Sequence, residues 1–109
     1  MVIRRSHTAV IERNVEWSGA FATEPYEAAW ASEALFFVRT LRSIPVTIEA
    51  RVQISPDGMV WSDEGTSVSV TGAAQTCVRV RHFGGWLRLA GRMPAGETAA
   101  VIVYLVLKE

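Results

Sequence analysis

The sequence has 109 residues, half of them apolar and a fifth charged, with 11 basic and 11 acidic side chains. This length and composition are typical of a packed globular protein and exclude a disordered chain, so we expect residues 1–109 to form a single domain. The zero net charge favours neither nucleic acid nor an anionic membrane as a partner, and no stretch reaches the ~18 apolar residues of a membrane span.

The two halves of the chain differ in charge. Residues 1–65 contain six Arg against nine acids, whereas residues 66–109 contain four Arg and one Lys against two Glu. This asymmetry has two interpretations: chance in a short chain, or complementary patches that meet between copies of the protein.

The single cysteine and the N-terminal segment bear on the compartment. Cys77 has no partner for an internal disulfide, and we expect a small buried thiol. Polar residues interrupt every apolar run in Met1–Asn14, so we expect no signal peptide. The expected location is the cytoplasm or a particle that assembles there.

The first third of the chain is expected to contain two strands separated by an irregular segment. Thr8–Trp17 and Ala34–Leu41 have the pattern of strands. Between them, Glu24–Glu33 has helix-favouring Ala and Glu residues, and three nearby aromatic residues would share one helical face. The spacing of turn residues elsewhere is typical of a sandwich, so we prefer an irregular loop to a short helix.

The centre of the chain carries the clearest pattern. Val46–Ile54 alternates strictly between apolar and polar residues, as a half-buried strand does. Ser55-Pro56-Asp57-Gly58 then predicts a tight turn, because Pro presets φ, Asp binds nearby backbone and Gly accepts positive φ. We expect Met59–Ser62 to return as the second strand of a hairpin, and a further strand over Ser67–Thr71 after a turn at Asp63-Glu64-Gly65.

The last third is expected to contain three strands. Thr76–Phe83 and Trp86–Arg92 both alternate, and Gly84-Gly85 between them predicts another hairpin. A turn at Pro94–Glu97 leads into the final strand, Ala99–Leu107, which is apolar on both faces.

The two faces of the final strand have different expected roles. One face would fill the core with Val101, Val103, Leu105 and Leu107. The other would point outward with Ile102, Tyr104 and Val106. Such a strand is either central and covered on both sides, or its outer face meets a partner. A third covering layer is difficult to build from 109 residues, so we favour a partner.

The turn after the alternating strand has a pattern known from other β proteins, S-x-D-G-x-x-W. Its residues are Ser55, Asp57, Gly58 and Trp61. It resembles a hairpin common in galactose-binding-like jelly rolls, including discoidin modules, and in small β-sandwich proteins of tailed phages. Cys77–Arg81 and Trp86–Leu89 are similar to the R-Y-V-R-V strand of those families, so the resemblance covers residues 46–108. It implies a jelly-roll sandwich and, for function, glycan binding or a structural role in a phage-like particle.

No group of side chains predicts a catalytic or metal site. His7, His82 and Cys77 are too few and too irregularly spaced for a zinc site. The sequence has no nucleophile elbow and no phosphate-binding loop, and its acids are dispersed over turns and outward strand positions. We therefore expect neither an enzyme nor a cofactor.

The four tryptophans and the later arginines remain as binding candidates. We expect two or three tryptophans in the core and Trp86 outside. The arginines expected to share the outward face of Trp86 are Arg79, Arg81, Arg88 and Arg92. That face is either solvated or meets an anionic partner surface, and an exposed aromatic pair could stack on a sugar ring.

Together these features predict an all-β protein, a single antiparallel jelly-roll-like sandwich of about seven or eight strands. Its predicted function is that of a non-enzymatic structural or assembly subunit, which self-associates or decorates a phage- or capsid-like particle. The alternative is a carbohydrate-binding module with a Trp stacking platform. The expected interface consists of Ile102, Tyr104, Val106, Arg79, Arg81, Trp86 and Arg88. Expected partners are further copies or another protein, or a glycan in the alternative, and neither nucleic acid nor a membrane.

Overall fold

The computed structural model describes residues 5–109, which form nine β-strands and no α-helix. The strands are β1 (Ser6–Ser18), β2 (Ala20–Ala22), β3 (Tyr26–Glu27), β4 (Glu33–Thr40), β5 (Ile44–Ser55), β6 (Ser62–Gly72), β7 (Gln75–Val80), β8 (Trp86–Arg92) and β9 (Thr98–Lys108). The prediction that Met1–Asn14 contains no signal peptide includes residues 1–4, which lie outside the described residues. Residues 5–109 contain no helix that could cross a membrane.

The strands pack as a sandwich of two antiparallel sheets. The first sheet has the order β1-β9-β4-β7, and the second has the order β2-β8-β5-β6, with β3 also paired to β8. Within residues 5–109, β5 and β6 are the only consecutive strands that pair with each other. This order is that of a jelly roll, so the predicted all-β sandwich is confirmed. The structure has nine strands instead of the predicted seven or eight. The difference arises because β2 and β3 are too short to leave a pattern in the sequence.

The core lies between the sheets and is built by alternation along the long strands. Its largest fully buried side chains include Phe36, Ile48, Leu87, Leu89, Leu105 and Leu107. In β9, which is central in the first sheet, every second residue from Val101 to Leu107 is fully buried. The predicted inward face of the last strand is therefore confirmed.

The predicted hairpin after Ser55 begins later than expected. Met59 and Val60 lie in the turn, and β6 starts at Ser62 and continues to Gly72. The predicted strand Ser67–Thr71 is the second half of β6. The expected turn between the two is instead a bulge in which residues 64–66 lie opposite Val52 alone. A glycine in a bulge and a glycine in a turn look alike in sequence, which explains the wrong prediction.

The predicted hairpin at Gly84-Gly85 is also wrong. β7 belongs to the first sheet and β8 to the second, so this segment crosses between the sheets. Gly85 has φ +86°, and a Cβ there would lie 2.5 Å from the backbone oxygen of Ser55. The alternating pattern of two strands does not specify whether they pair with each other or with more distant strands.

The segment Glu24–Glu33 is irregular, as preferred, apart from β3 and the first residue of β4, and it is not a helix. It bridges the two sheets at one end of the sandwich. The Ala28 amide donates to the Gly85 oxygen at 2.6 Å, and the Ser32 amide donates to the Lys108 oxygen at 2.9 Å. These bonds bring residues 26–32 alongside the start of β1 and the end of β9.

Candidate functional site

The outer face of the second sheet is polar along β5 and β6, and its side chains bind one another across these two strands. Asp63 accepts bonds from Arg51 Nη1 at 3.3 Å and from Gln53 Nε2 at 3.0 Å. On the same face, the Ser67 hydroxyl donates to Glu49 at 2.8 Å. These groups are exposed and already have partners, so this face is stable in water without any covering layer.

The outer face of the first sheet is apolar instead. We name it the apolar face and define it by six side chains: Val10, Leu35, Phe37, Ile102, Tyr104 and Val106. Cross-strand pairing joins Val10 to Tyr104 and Tyr104 to Phe37, and the next row joins Leu35 to Val106. Side chains that pair directly across strands lie about 4.5–5.5 Å apart at Cβ, and Ile102 lies two residues from Tyr104 on the same face of β9, so the six are neighbours in one patch.

No strand among residues 5–109 packs over the apolar face. Val10 is 38% exposed, and the other five side chains are half-buried, each shielded by its neighbours in the sheet. None of the six belongs to the core between the sheets or packs against it. A continuous apolar patch on an outer sheet surface is the feature that marks a binding surface in a soluble protein.

Arg39 covers one side of the apolar face in a fixed position. Its guanidinium carbon lies 5.6 Å from the centre of the Tyr104 ring. Its Nε and Nη2 atoms donate to Gln75 Oε1 at 3.3 and 3.2 Å. Tyr and Arg contribute strongly to protein interfaces, and a side chain that is already ordered loses less entropy when a partner binds.

The structure divides the predicted interface residues between separate regions. Ile102, Tyr104 and Val106 lie on the apolar face, and Arg79 is exposed beside Leu35 at the β7 edge. The other three predicted residues lie elsewhere: Arg81, Trp86 and Arg88. The prediction that all four arginines share one outward face with Trp86 is therefore wrong, because β7 and β8 belong to different sheets.

Arg81 follows β7 in the segment that crosses to the second sheet. The amides of Arg81 and His82 donate to Glu64 Oε2 at 3.0 and 3.3 Å. Glu64 lies in the β6 bulge, so the bulge aims a carboxylate at the crossing segment and holds its backbone.

The S-x-D-G-x-x-W segment is a tightly bonded turn. Asp57 Oδ1 accepts bonds from the amides of Met59 and Val60 at 2.9 and 3.1 Å and from the Ser55 hydroxyl at 2.9 Å. The Ser55 hydroxyl oxygen in turn accepts from the Gly58 amide at 2.9 Å. The turn therefore presents Met59 and Val60 at 81% and 72% exposure on an ordered backbone.

The tryptophans are distributed differently from the prediction. Trp17 is the only one that is buried, and Trp30 is the exposed one at 38%. Trp86 is half-buried, because its ring lies against Gly58, where an added Cβ would be 3.2 Å from the ring. Trp61 carries the Arg88 guanidinium 4.3 Å above its ring. The expectation that Trp86 is the outermost tryptophan is therefore wrong.

The expectation of a buried thiol is wrong as well. Cys77 is exposed, because it occupies an outward position on β7 and pairs with Phe37 in the row that contains Tyr104. Among residues 5–109, no group of three or more His, Cys, Asp or Glu side chains could hold a metal ion.

Sequence reasoning missed half of the apolar face. Leu35 and Phe37 are on β4, which is apolar on both faces over Ala34–Val38, the same signal that identified β9. Val10 is missed because β1 is interrupted by register shifts between Val10 and Val15. A bulge reverses the alternation, so a period-two pattern does not continue through it.

Comparison with known proteins identifies similar folds only. The chain superposes on the PBSX exported protein XepA with a TM-score of 0.66 and 14% identity, over 93% of this chain and 36% of that one. It superposes on a chain of infectious bursal disease virus, Gt strain, with a TM-score of 0.55 and 10% identity, over 96% of this chain and 32% of that one. The protein thus spans about a third of each, and the predicted resemblance to small β-sandwich proteins of tailed phages is confirmed for the fold. Neither a protein-family model nor a curated protein sequence matches the chain.

Proposed function

We propose that this protein is a non-enzymatic structural subunit that associates with further copies of itself through the apolar face. The observation that carries this proposal is the difference between the two outer surfaces. The second sheet presents cross-strand polar pairs to water, whereas the first presents six adjacent apolar side chains. One face is suited to water and the other to a partner.

The first sheet is similar in size to one side of a dimer contact. The four strands have 13, 11, 8 and 6 residues, and at ~3.4 Å per residue and ~4.8 Å between strands they give a face of about 600 Å². A stable interface buries about 800 Å² on each partner, so pairing of two such faces approaches this size before side chains at the edge are included.

The chemistry of the face favours a protein over a lipid or nucleic acid. Its centre is apolar, while Arg39 and Arg79 lie toward the β7 edge and are not gathered into a basic surface. A central apolar patch with Tyr and Arg at its margin is the usual anatomy of a protein interface. The zero net charge removes long-range repulsion between copies.

The similar folds support this proposal at the coarse level. One belongs to a structure of a virus and the other to an exported protein, and each lies in a chain about three times as long as this one. We infer a location in an assembled particle, with residues 1–109 acting as one domain within it. Because fold alone does not specify function, the proposal depends on the apolar face and not on the likeness.

Solution mass tests the proposal directly. Light scattering after size exclusion, at two protein concentrations, would compare the wild type with Phe37→Lys and Ile102→Lys on the apolar face. The matched control is Ser69→Lys, which adds the same charge at an exposed outward position of β6. Circular dichroism of each variant would establish that it is folded.

The expected result is a defined oligomer for the wild type and Ser69→Lys, and a monomer for both variants of the apolar face. A buried lysine without a counter-charge makes the contact between copies unfavourable, so we expect neither variant to form any oligomer at the lower concentration. A wild type that stays monomeric at both concentrations would overturn the proposal. So would an oligomer that persists in folded Phe37→Lys and Ile102→Lys.

A further inference from the structure

A cleft of about 580 Å³ opens at the end of the sandwich where β1 begins. It is lined by Arg5, Ser6, His7, Tyr26 and Trp30. Its volume is within the ~300–1,000 Å³ of pockets that hold small molecules. Three of the five lining residues carry rings, and they come from two segments that the sequence separates by about 20 residues.

The rings are held in place by both sheets. His7 pairs with Leu107 in the first sheet, and Tyr26 pairs with Leu87 in the second. Their rings stack on each other, with centroids 6.2 Å apart and planes inclined by 25°. The bond from the Ala28 amide to the Gly85 oxygen fixes the segment that carries Trp30, so the aromatic wall exists before any ligand arrives.

The charge of Arg5 in this cleft is balanced. Its Nε and Nη2 atoms donate to Glu109 Oε2 at 3.1 and 2.9 Å, and the Glu109 amide donates to the Arg5 oxygen at 2.9 Å. The guanidinium carbon also lies 5.9 Å from the centre of the Trp30 ring. The two side-chain bonds to Glu109 use two of the five N–H donors of Arg5. The Arg5–Glu109 pair therefore still offers donors and acceptors at the edge of the cleft.

We propose that this cleft binds a neutral saccharide ring against the exposed ring of Trp30. The C–H face of a pyranose packs on aromatic rings, and its hydroxyls need donors and acceptors together, which the Arg5–Glu109 pair, Ser6 and His7 supply. The site differs from a platform at Trp86, whose ring is covered by Gly58.

Other ligand classes fit the cleft less well. A phosphate or carboxylate ligand needs an uncompensated cation, and Glu109 already neutralises Arg5 at 2.9 Å. A cationic ligand at Trp30 would be repelled by the like charge of the Arg5 guanidinium, whose carbon lies 5.9 Å from the centre of the Trp30 ring. A purely apolar ligand would leave the polar half of the lining without partners.

The cleft is independent of the apolar face. Its residues lie at the end of the sandwich and between the sheets, whereas Phe37 and Tyr104 lie on the outer surface of the first sheet. The binding proposal therefore does not depend on self-association, and one of the two proposals can fail without the other.

The test is a titration monitored by two-dimensional ¹H–¹⁵N NMR of the full chain. The probes are methyl glycosides of glucose, galactose, mannose and N-acetylglucosamine, with methyl glucuronide and N-acetylneuraminic acid as acidic counterparts. The variant is Trp30→Ala, and the control is Met59→Ala, a more exposed side chain in the turn after β5.

We expect a neutral glycoside to shift the amide signals of residues 5–7 and 26–30, and Trp30→Ala to weaken binding about tenfold or more. Met59→Ala should leave the affinity unchanged. The proposal is overturned if no neutral glycoside shifts these signals at high millimolar concentration. Preferential binding of the acidic sugars would contradict the neutral assignment. A change of solution mass in Trp30→Ala without any sugar response would indicate a protein segment as the occupant.

Discussion

At the scale of single residues, Asp57 organises the turn between β5 and β6. The pKa of Asp57 is lowered from its ordinary value of 3.8, because the Met59 and Val60 amides and the Ser55 hydroxyl donate to its carboxylate. A carboxylate with a lowered pKa in the folded state stabilises the fold above the unfolded value. That contribution is lost as the pH falls below 3.8 toward the folded pKa.

The replacement Asp57→Asn tests this dependence on pH. The amide keeps an acceptor oxygen but has no charge, so the stabilising contribution of the carboxylate disappears at every pH. We expect the wild type to unfold at higher denaturant concentration than the variant near pH 6, and the difference to shrink as the pH falls from 4 to 2. Urea midpoints of the two proteins, measured between pH 2 and pH 6, would check this prediction. A difference between the two midpoints that stays constant with pH would contradict it.

Two adjacent glycines in the crossing from β7 to β8 should differ sharply in their tolerance of a side chain. Gly85 has φ +86° and approaches the Ser55 oxygen, whereas an added Cβ at Gly84 meets no atom within 4 Å. We expect Gly85→Ala to cost about 2–4 kcal/mol, from backbone strain and the clash together. Gly84→Ala should change stability by no more than about 0.5 kcal/mol. Denaturant unfolding of both variants compares them, and equal stabilities would be inconsistent with this packing.

At the scale of elements, β9 shows how one strand serves two surfaces. Leu105 is fully buried between the sheets, and Tyr104, its chain neighbour, lies half-exposed on the apolar face. A strand alternates its side chains between faces, so adjacent positions in β9 have unrelated energetic roles.

Alanine substitutions at these two positions separate stability from association. Leu105→Ala should reduce the free energy of unfolding by about 2–5 kcal/mol, because it leaves a cavity in the core. Tyr104→Ala should cost about 1 kcal/mol or less, since it removes only cross-strand contacts and the Arg39 interaction. Thermal or denaturant unfolding at a concentration where the protein is monomeric is the appropriate measurement. A larger loss from Tyr104→Ala than from Leu105→Ala would refute this assignment of the faces.

Most long strands could be predicted from sequence, but two of the connections could not. Val46–Ile54 and Ala99–Leu107 lie within β5 and β9, because an unbroken alternation depends only on which face is buried. The bulge in β6 and the crossing at Gly84-Gly85 were both mistaken for hairpin features. Turn-forming residues indicate where a chain can bend, and they do not specify which strand it meets afterwards.

At the scale of the whole molecule, the position of Cys77 provides a probe of assembly. Its thiol is exposed, and its register partner is Phe37 on the apolar face. If two such faces pack together, reagents lose access to Cys77, while a monomer leaves it accessible.

The labelling rate of Cys77 with iodoacetamide should therefore fall as the protein concentration rises through the range of association. We expect a decrease of about tenfold or more when ~90% of the chains are associated, because only the dissociated fraction reacts. Labelling of Phe37→Lys at the same concentrations is the control and should be fast throughout. Fast labelling of a wild-type oligomer would place its interface on another surface.

The sequence by itself determined the fold class, the inward and outward faces of the last strand, and the turn at Ser55–Gly58. These are local properties, since alternation and turn chemistry depend on residues a few positions apart. The tertiary structure alone decided which strands are neighbours. It brought β1, β4 and β9 together into the apolar face, separated Arg79 from Arg88, covered Trp86 with Gly58 and placed His7 opposite Tyr26. Those relations join residues distant in the chain, and alternation is equally satisfied by many pairings, so only the packing of the two sheets selects one.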